Sequence, residues 1–579
     1  MNGTCWAIIT TLACLLSTLP AQGQETSRLI SIFPEDSAEG SHVYLSPPLT
    51  RASEPVQIHR ERLQFKNWRI DWSLLEPSGS EIAVTQQALN ETAEPLRLMA
   101  HLQYTGPLQL SPAQERAFRP QVLLVPAAGL SQGRYHPSYS WLARSFGYDE
   151  RPRRFPPGSE EPLNVVIFLI DTLRSDHLPA YGHPFVAAPH SDMLASLGVT
   201  FANSYAASPS TRPSVGSIFT GVQPKAHGAT RHAIDGAALY ENVPRMAEWF
   251  LKQEYYTAAV SSNAQISPPY GFGRGFERYL CPVSEYQVTP RGIEALRSLH
   301  EPFFLYLHYI APHAPYDPPA VFGEPYAGLT DYPEQDRHCG EITLDDQRIG
   351  RVLAELARQG LLERTLIWLV SDHGEEFWEH GWNGHGAKIY EESVRTASIL
   401  SLPTRFAGGA IVGVPAMHID MFPTLQTLLG HSPLEHQQGT SLSPYLEAEP
   451  SDLHVLPQER VVYLHHGGGL QDGPHESDKQ GVVYNDHKLI HWTQTDQWEL
   501  YHLSEDPAEQ NNLLPEERPL AVEALAKPVA GTITTLRPML RQHLEECEAL
   551  AQQFASGGEE GVELSPAELE NLRNLGYID

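Results

Sequence analysis

Cysteine is scarce in this chain, and long apolar runs are missing after its first residues. Of five cysteines in 579 residues, Cys5 and Cys14 fall in the opening apolar stretch. Cys281, Cys339 and Cys547 remain. Three scattered cysteines make no disulfide framework and show no zinc-type spacing, so at most one pair can form. No later run reaches the roughly 20 apolar residues a spanning helix needs, so no membrane span is expected. Positive charge is also short, with 40 Lys and Arg against 70 Asp and Glu and a formal charge of −30. So acidic a surface repels nucleic acid and anionic membranes. An anionic small substrate stays open, because a metal ion or a helix terminus reverses the field locally.

What is present describes an exported, folded protein. Hydrophobic residues make up 41% and charged residues 19%, a globular balance on a chain long enough for several domains. Residues 1–23 read as a signal peptide: Ala7 to Leu16 is a short apolar core, and Ala21-Gln22-Gly23 places small residues at a cleavage site. Secretion or a periplasmic location follows. Lipoprotein anchoring through Cys14 is not expected, since Thr11 stands where Leu is preferred. Residues 24–158 are rich in Pro, Ser and Glu with short alternating stretches such as Arg97 to Leu102, the pattern of a β-rich accessory domain. Arg151 to Gly158 closes it as a linker.

From residue 159 short apolar runs alternate with amphipathic segments, which predicts a doubly wound α/β sheet. Asn164–Ile170, Thr257–Val260, Phe303–Ile310 and Leu366–Val370 read as buried strands, with helices at 192–197 and 349–359. Ligands of such sheets bind beyond the carboxyl ends of the strands. There stand Asp171 after the first strand, His313 after the third, and Asp372-His373 after the fourth. Singly, each is an ordinary cap, turn former or structural histidine. Together on one rim, Asp171, Asp372 and His373 make a ligand set for one divalent metal ion, zinc, manganese or calcium.

A hydrolase also needs a nucleophile, and Ser208 to Gly221 offers one. Thr211 is followed by Pro213, suited to a first helical turn, and then by small residues and Ile218-Phe219 at helical positions. Thr211 at a helix N-terminus is a cap, and also a place where free N–H groups and the dipole favour an anion. Arg212 beside it either binds an anion or points outward.

Several segments carry a family resemblance. Asn164 to Arg174, Pro189 to Asp192, Gly198 to Phe201, Thr220-Gly221 with Pro224 to Gly228, Ser371 to Gly374, Gly384 to Glu391, Asp420 to Leu425, Glu499 to Leu503 with Asp506 to Glu509, and Leu572 to Tyr577 resemble the sulfatase family of the alkaline phosphatase superfamily. The resemblance covers about residues 160–579. It implies that family's mixed α/β sheet in a catalytic domain at 159–430, a smaller C-terminal α+β subdomain at 431–515 and a helical tail at 516–579. By position it implies Asp171, Thr211, Asp372 and His373 as metal ligands, and His313, His385 and Lys388 as groups contacting the transferred group or the leaving oxygen.

The chain departs from the family at the nucleophile. Sulfatases carry Cys or Ser, then any residue, then Pro-Ser-Arg, and oxidise the first to formylglycine. Counting back from Thr220-Gly221 puts Thr211 at that position, with Val215 where Arg belongs. Threonine oxidation gives a ketone, so that maturation is closed. Thr172 replaces the usual second acidic residue, Val260 to Asn263 replaces a Gly-Lys-Trp-His-Leu-Gly segment, and Ala311 stands where two-metal relatives have Asp. The expectation is therefore a one-metal hydrolase of phosphate mono- or diesters. Thr211 attacks, and His313 or His385 protonates the leaving oxygen. The alternatives are sulfuric ester hydrolysis without formylglycine, and a non-catalytic binding protein on the same fold. The expected partner is a small-molecule or a glycan- or lipid-derived anionic ester.

Overall fold

The computed structural model describes residues 162–231, 238–406, 408–447, 459–467, 478–515, 520–555, 564–575 and 577, with the backbone of short strands between residues 28 and 126. The export signal and the linker fall outside the described residues. The strands between 28 and 126 pair into one four-stranded and one five-stranded antiparallel sheet.

The main sheet has eight strands: β1 (Asn164–Ile170), β2 (Gly198–Phe201), β3 (Tyr256–Ser261), β4 (Arg278–Leu280), β5 (Phe303–Tyr309), β6 (Thr365–Ser371), β7 (Ser398–Ser401) and β8 (Ala410–Val412). Their order is β4-β3-β5-β1-β6-β7-β2-β8. All neighbours are parallel except β7, which runs antiparallel to β6 and β2. This is the mixed, doubly wound sheet expected.

β1 shows why its sequence is an unbroken apolar run: both of its faces are covered. Val166, Phe168 and Ile170 face one core, with helices α1 (Pro189–Ser196), α5 (Glu285–Ser298) and α6 (Pro333–Arg358). Val165, Ile167 and Leu169 face the other, with α2 (Thr211–Thr220), α3 (Pro224–His227), α4 (Met246–Lys252) and α7 (Met421–Leu428). Alternate side chains of one strand thus serve two helix layers.

α6 is longer than the segment 349–359 read from periodicity. Its first half buries Asp336, His338, Glu341, Asp345 and Asp346, which hides the apolar period. Pro333 in its first turn starts it.

The C-terminal part is α+β, as expected. β9 (Val462–His466), β10 (Lys479–Tyr484), β11 (His487–Trp492) and β12 (Gln497–His502) form an antiparallel meander. Leu464, Val483 and Ile490 pack toward Tyr205, Ile389, Val394 and Met417 of the main unit. Val482, Leu489 and Leu500 pack under Ile533, Leu536 and Leu540 of α8 (Lys527–Phe554). A short helix, α9 (Pro566–Asn574), is capped by Ser565 and Glu568 and returns to the main unit. Among the described residues no helix is long and apolar enough to cross a membrane.

Candidate metal and nucleophile centre

The ends of β1 and β6 lie side by side, because Ile170 pairs with Ser371 in parallel register. The next residues, Asp171 and Asp372-His373, therefore emerge together at the carboxyl rim. All three are fully buried, and their ligand atoms lie within 4.8 Å of one another. α2 brings Thr211 to the same point. Ser214 Oγ donates to the Asp372 carbonyl at 2.5 Å and so ties the first turn of α2 to the end of β6.

Each carboxylate has one oxygen held and one left over. Asp171 Oδ2 accepts from Asn263 Nδ2 at 2.8 Å and from His308 Nε2 at 3.0 Å. Asp372 Oδ1 accepts from the backbone N–H of Thr172 at 3.2 Å and of His373 at 2.9 Å. Asp171 Oδ1 and Asp372 Oδ2 are buried with no hydrogen-bond partner, 3.6 and 3.4 Å from His373 Nε2. A buried acceptor left unpaired costs on the order of 1–3 kcal/mol, more when charged, unless a cation takes its place.

His373 is oriented for the same task. Its Nδ1 lies 2.9 Å from the Gly374 carbonyl, which only accepts, so Nδ1 carries the proton. The Nε2 lone pair then points at Thr211 Oγ1, 3.2 Å away. A metal-ligating imidazole has this tautomer and this kind of carbonyl partner. Gly374 is required beside it: a Cβ there would meet the Glu392 carbonyl at 1.9 Å.

The electrostatics fit a cation. Burial pushes the Asp372 carboxyl well above the usual range, and the neighbouring Asp171 adds to this. Burial would raise Asp171 too, but the His308 hydrogen bond and the surrounding imidazoles outweigh it and hold it low. One negative charge is therefore stabilised and a second is not, and a divalent ion would accommodate both. Burial also drives His373 down to about 3, which keeps it neutral and able to ligate.

Thr211 opens α2 with Ser210 extended before it, and its hydroxyl is fully buried at the helix N-terminus. Thr172 is held at φ 55, an outlier for a β-branched residue. The rim thus stores local backbone strain, held by the bond from its N–H to Asp372.

Around this group stand His313 and His385. The two rings are 4.7 Å apart, and the His385 ring is 4.5 Å from that of His373. His385 Nδ1 bonds Glu375 Oε1 at 3.0 Å, and burial raises Glu375 to about 7. Gly384 and Gly386, at φ 113 and 77, give the loop a course that favours glycine on both sides of His385. Lys388 is placed elsewhere. Its ammonium pairs with Glu376 at 3.6 Å, donates to the His380 carbonyl and lies over the Tyr390 ring, so its partners are not those around Thr211.

Arg212 does not point outward. It is fully buried, donates to the Gln265 and Arg231 carbonyls and lies 3.5 Å over the Tyr270 ring. A helical residue next to Thr211 projects about 100° away from it, here into the protein.

Three contributors were not picked out from sequence. Asn263 follows β3 and spans Asp171 and Thr211, at 2.8 and 3.5 Å. His308 is a polar break in the otherwise apolar β5, and that break was the available signal. Tyr577 comes from beyond α9. Its hydroxyl lies 2.7 Å from His313 Nε2 and 3.4 Å from Thr211 Oγ1, and its one signal was the family-like segment Leu572 to Tyr577.

Comparisons with known proteins bear on the fold and the family. The Sulfatase family model matches residues 163–431, and the N-sulphoglucosamine sulphohydrolase, C-terminal model matches residues 378–532. An arylsulfatase of Clostridium perfringens is 25% identical over 456 residues, covering 61% of this chain and 90% of its own. A solved structure of a protein in complex with its substrate D-glucosamine-2-N,6-O-disulfate superposes with a TM-score of 0.56 at 20% identity, over 69% of this chain and all of that one. A phosphonate monoester hydrolase of Agrobacterium radiobacter superposes with a TM-score of 0.55 at 18% identity, over 68% and 96%.

Proposed function

This chain belongs to the sulfatase family of hydrolases, and from that premise we propose that it cleaves an anionic ester with the unmodified Thr211 hydroxyl as the attacking group. One observation carries the reading. Thr211 Oγ1 stands at a helix N-terminus, 3.2 Å from His373 Nε2 and beside two carboxylate oxygens that lack partners. Sulfuric esters come first as the substrate class, because the sequence relative is named an arylsulfatase. This reverses the order expected from the nucleophile alone. Phosphoric esters are the second reading, favoured by Thr211, which cannot give the aldehyde hydrate on which formylglycine sulfatases rely.

Asp171, Asp372, His373 and Thr211 fit one divalent ion, which would supply positive charge to lower the hydroxyl pKa and balance the ester oxygens. The chain's own groups do the rest. Asn263 and His308 fix the inward oxygen of Asp171. The dipole at the N-terminus of α2 favours the transferred anion. Thr211 Oγ bonds to sulfur or phosphorus as the ester bond to the leaving oxygen breaks. The proton that Thr211 gives up passes to His313 Nε2 and from there to that oxygen, with His385 beside it. Water then attacks the sulfur or phosphorus of the threonine ester, restoring the hydroxyl and releasing the inorganic anion. Tyr577 fills the space between Thr211 and His313, so the ester enters only where that phenol gives way.

The test is initial rates on 4-nitrophenyl sulfate and 4-nitrophenyl phosphate, with and without chelator. Expected is metal-dependent release from the sulfate, reduced by on the order of 10³-fold or more in Thr211→Ala. Release from the phosphate alone leaves the second reading standing. Undiminished release by Thr211→Ala contradicts both.

A further inference from the structure

A second group of ligand-type side chains lies away from the rim. His465 is on β9, and His543 and Cys547 sit one helical turn apart on α8, where positions i and i+4 share a face. His465 Nε2 is 3.1 Å from His543 Nε2, and His543 Nε2 is 3.5 Å from Cys547 Sγ. All three side chains are buried, and the three atoms lie within 4.8 Å of one another. We propose that His465, His543 and Cys547 form a soft-ligand metal site for a zinc-class ion, distinct from the Asp171 group.

The distances argue for a shared ion rather than a hydrogen-bonded cluster. With zinc–nitrogen bonds of about 2.05 Å and zinc–sulfur bonds of about 2.3 Å, tetrahedral edges are about 3.3 Å between nitrogens and about 3.6 Å between nitrogen and sulfur. The observed separations, 3.1 and 3.5 Å, are close to both. Hydrogen bonding alone serves the group poorly. His543 Nε2 is common to both contacts, and one ring nitrogen holds either one proton or one lone pair. A metal ion takes all three lone pairs at once, and thiolate with imidazole is the donor set of zinc or copper(I) rather than of calcium or magnesium.

The surroundings hold the ligands in place. Gln438 Oε1 accepts from the backbone N–H of Gln223 at 2.8 Å, which fixes the amide with Nε2 toward Cys547 Sγ at 3.4 Å. A donor onto the sulfur supports a thiolate. The Tyr463 ring stacks on His543 with centroids 3.7 Å apart. The backbone of His465 donates to Ala207, four residues before Thr211, and α8 packs on α3 just after α2. An ion here fastens the C-terminal helix to the segments flanking the nucleophile helix. Ligation exchanges the thiol proton for the metal and changes no oxidation state.

The proposal does not depend on the hydrolase reading, and its test does not use turnover. The full chain is purified without chelator, assayed for metal content and then reconstituted with cobalt(II), as wild type and as Asp171→Asn and Cys547→Ser. Expected is at least one equivalent of zinc or copper in wild type and in Asp171→Asn, and one equivalent less in Cys547→Ser than in wild type. A thiolate-to-cobalt charge-transfer band should appear in the first two and be missing from the third. Wild-type cobalt protein without that band overturns the proposal even if Cys547→Ser fails to fold. So does metal content that is unchanged in a folded Cys547→Ser.

Discussion

The rim group and the His465 group gather ligand-type side chains by opposite routes. Asp171 and Asp372-His373 each follow a strand directly, and the parallel pairing of those strands alone makes them neighbours. The second group joins a strand to a helix 78 residues later, and only the packing of α8 over the C-terminal meander brings it together. The first offers hard oxygens and a single imidazole, suited to a cation that polarises an ester. The second offers a sulfur and two imidazoles with no hydroxyl or carboxylate among them, suited to a structural ion. A site set by sheet topology is thus open to chemistry, whereas one set by tertiary packing serves the packing itself.

The largest expected effect separates the two groups. Asp171→Asn removes the charge that the imidazoles stabilise, and ester turnover should fall by at least about 10³-fold. Metal held through Cys547 should persist in that variant. Simultaneous loss of both metals would merge the two sites and break the comparison. A smaller effect is expected at Asn263, which touches Asp171 and Thr211 from outside the ligand set. Asn263→Ala should weaken activating-metal affinity by about 10–100-fold, read as the metal concentration at half-maximal rate. No change would mean that Asp171 needs no second donor to hold its geometry.

A further effect treats the two groups alike. Burial pushes His373 and His543 each down to about 3, against an ordinary value of 6.5. Between those values the unfolded chain binds protons that the folded chain refuses, so the contribution to stability is complete above 6.5 and is lost as pH falls toward 3. Each histidine costs up to about 1.4 kcal/mol per pH unit within that window. The fall in urea midpoint of metal-free protein between pH 7 and pH 5 should therefore be smaller in His543→Gln than in wild type, and an equal change in both would contradict the burial of that ring as a neutral group.

The same contrast explains what was legible in the sequence. The apolar runs of β1, β5 and β6 were readable because both faces of each strand are covered, and the residues after them marked the rim. Thr211 was readable from the helix it begins. The first half of α6 was hidden by its buried acids and His338, which look solvent-facing in a periodicity count. Asn263 was visible only as a departure from the family pattern, and His308 only as a histidine in a hydrophobic strand. Cys547 shows no zinc-type spacing to another cysteine, whereas its partner, His543, is one turn away on the same helix. Lys388 resembled a site residue by position, and the fold turns it to Glu376. Tyr577 was visible only as the end of a family-like segment, because its place beside Thr211 depends on how α9 docks. Asn571 fixes that docking by accepting from the Ala264 N–H at 2.9 Å and donating to the Ser262 carbonyl at 3.0 Å.

The claim that organises the rim is that Thr211 itself takes the transferred group. Rapid acid quench during turnover of an aryl sulfate and of an aryl phosphate, followed by mass mapping of the peptide holding Thr211, tests it directly. The account predicts a sulfo or phospho adduct on Thr211 with at least one of the two substrates, absent in Thr211→Ala. An adduct on another residue, or steady turnover by Thr211→Ala, would contradict it.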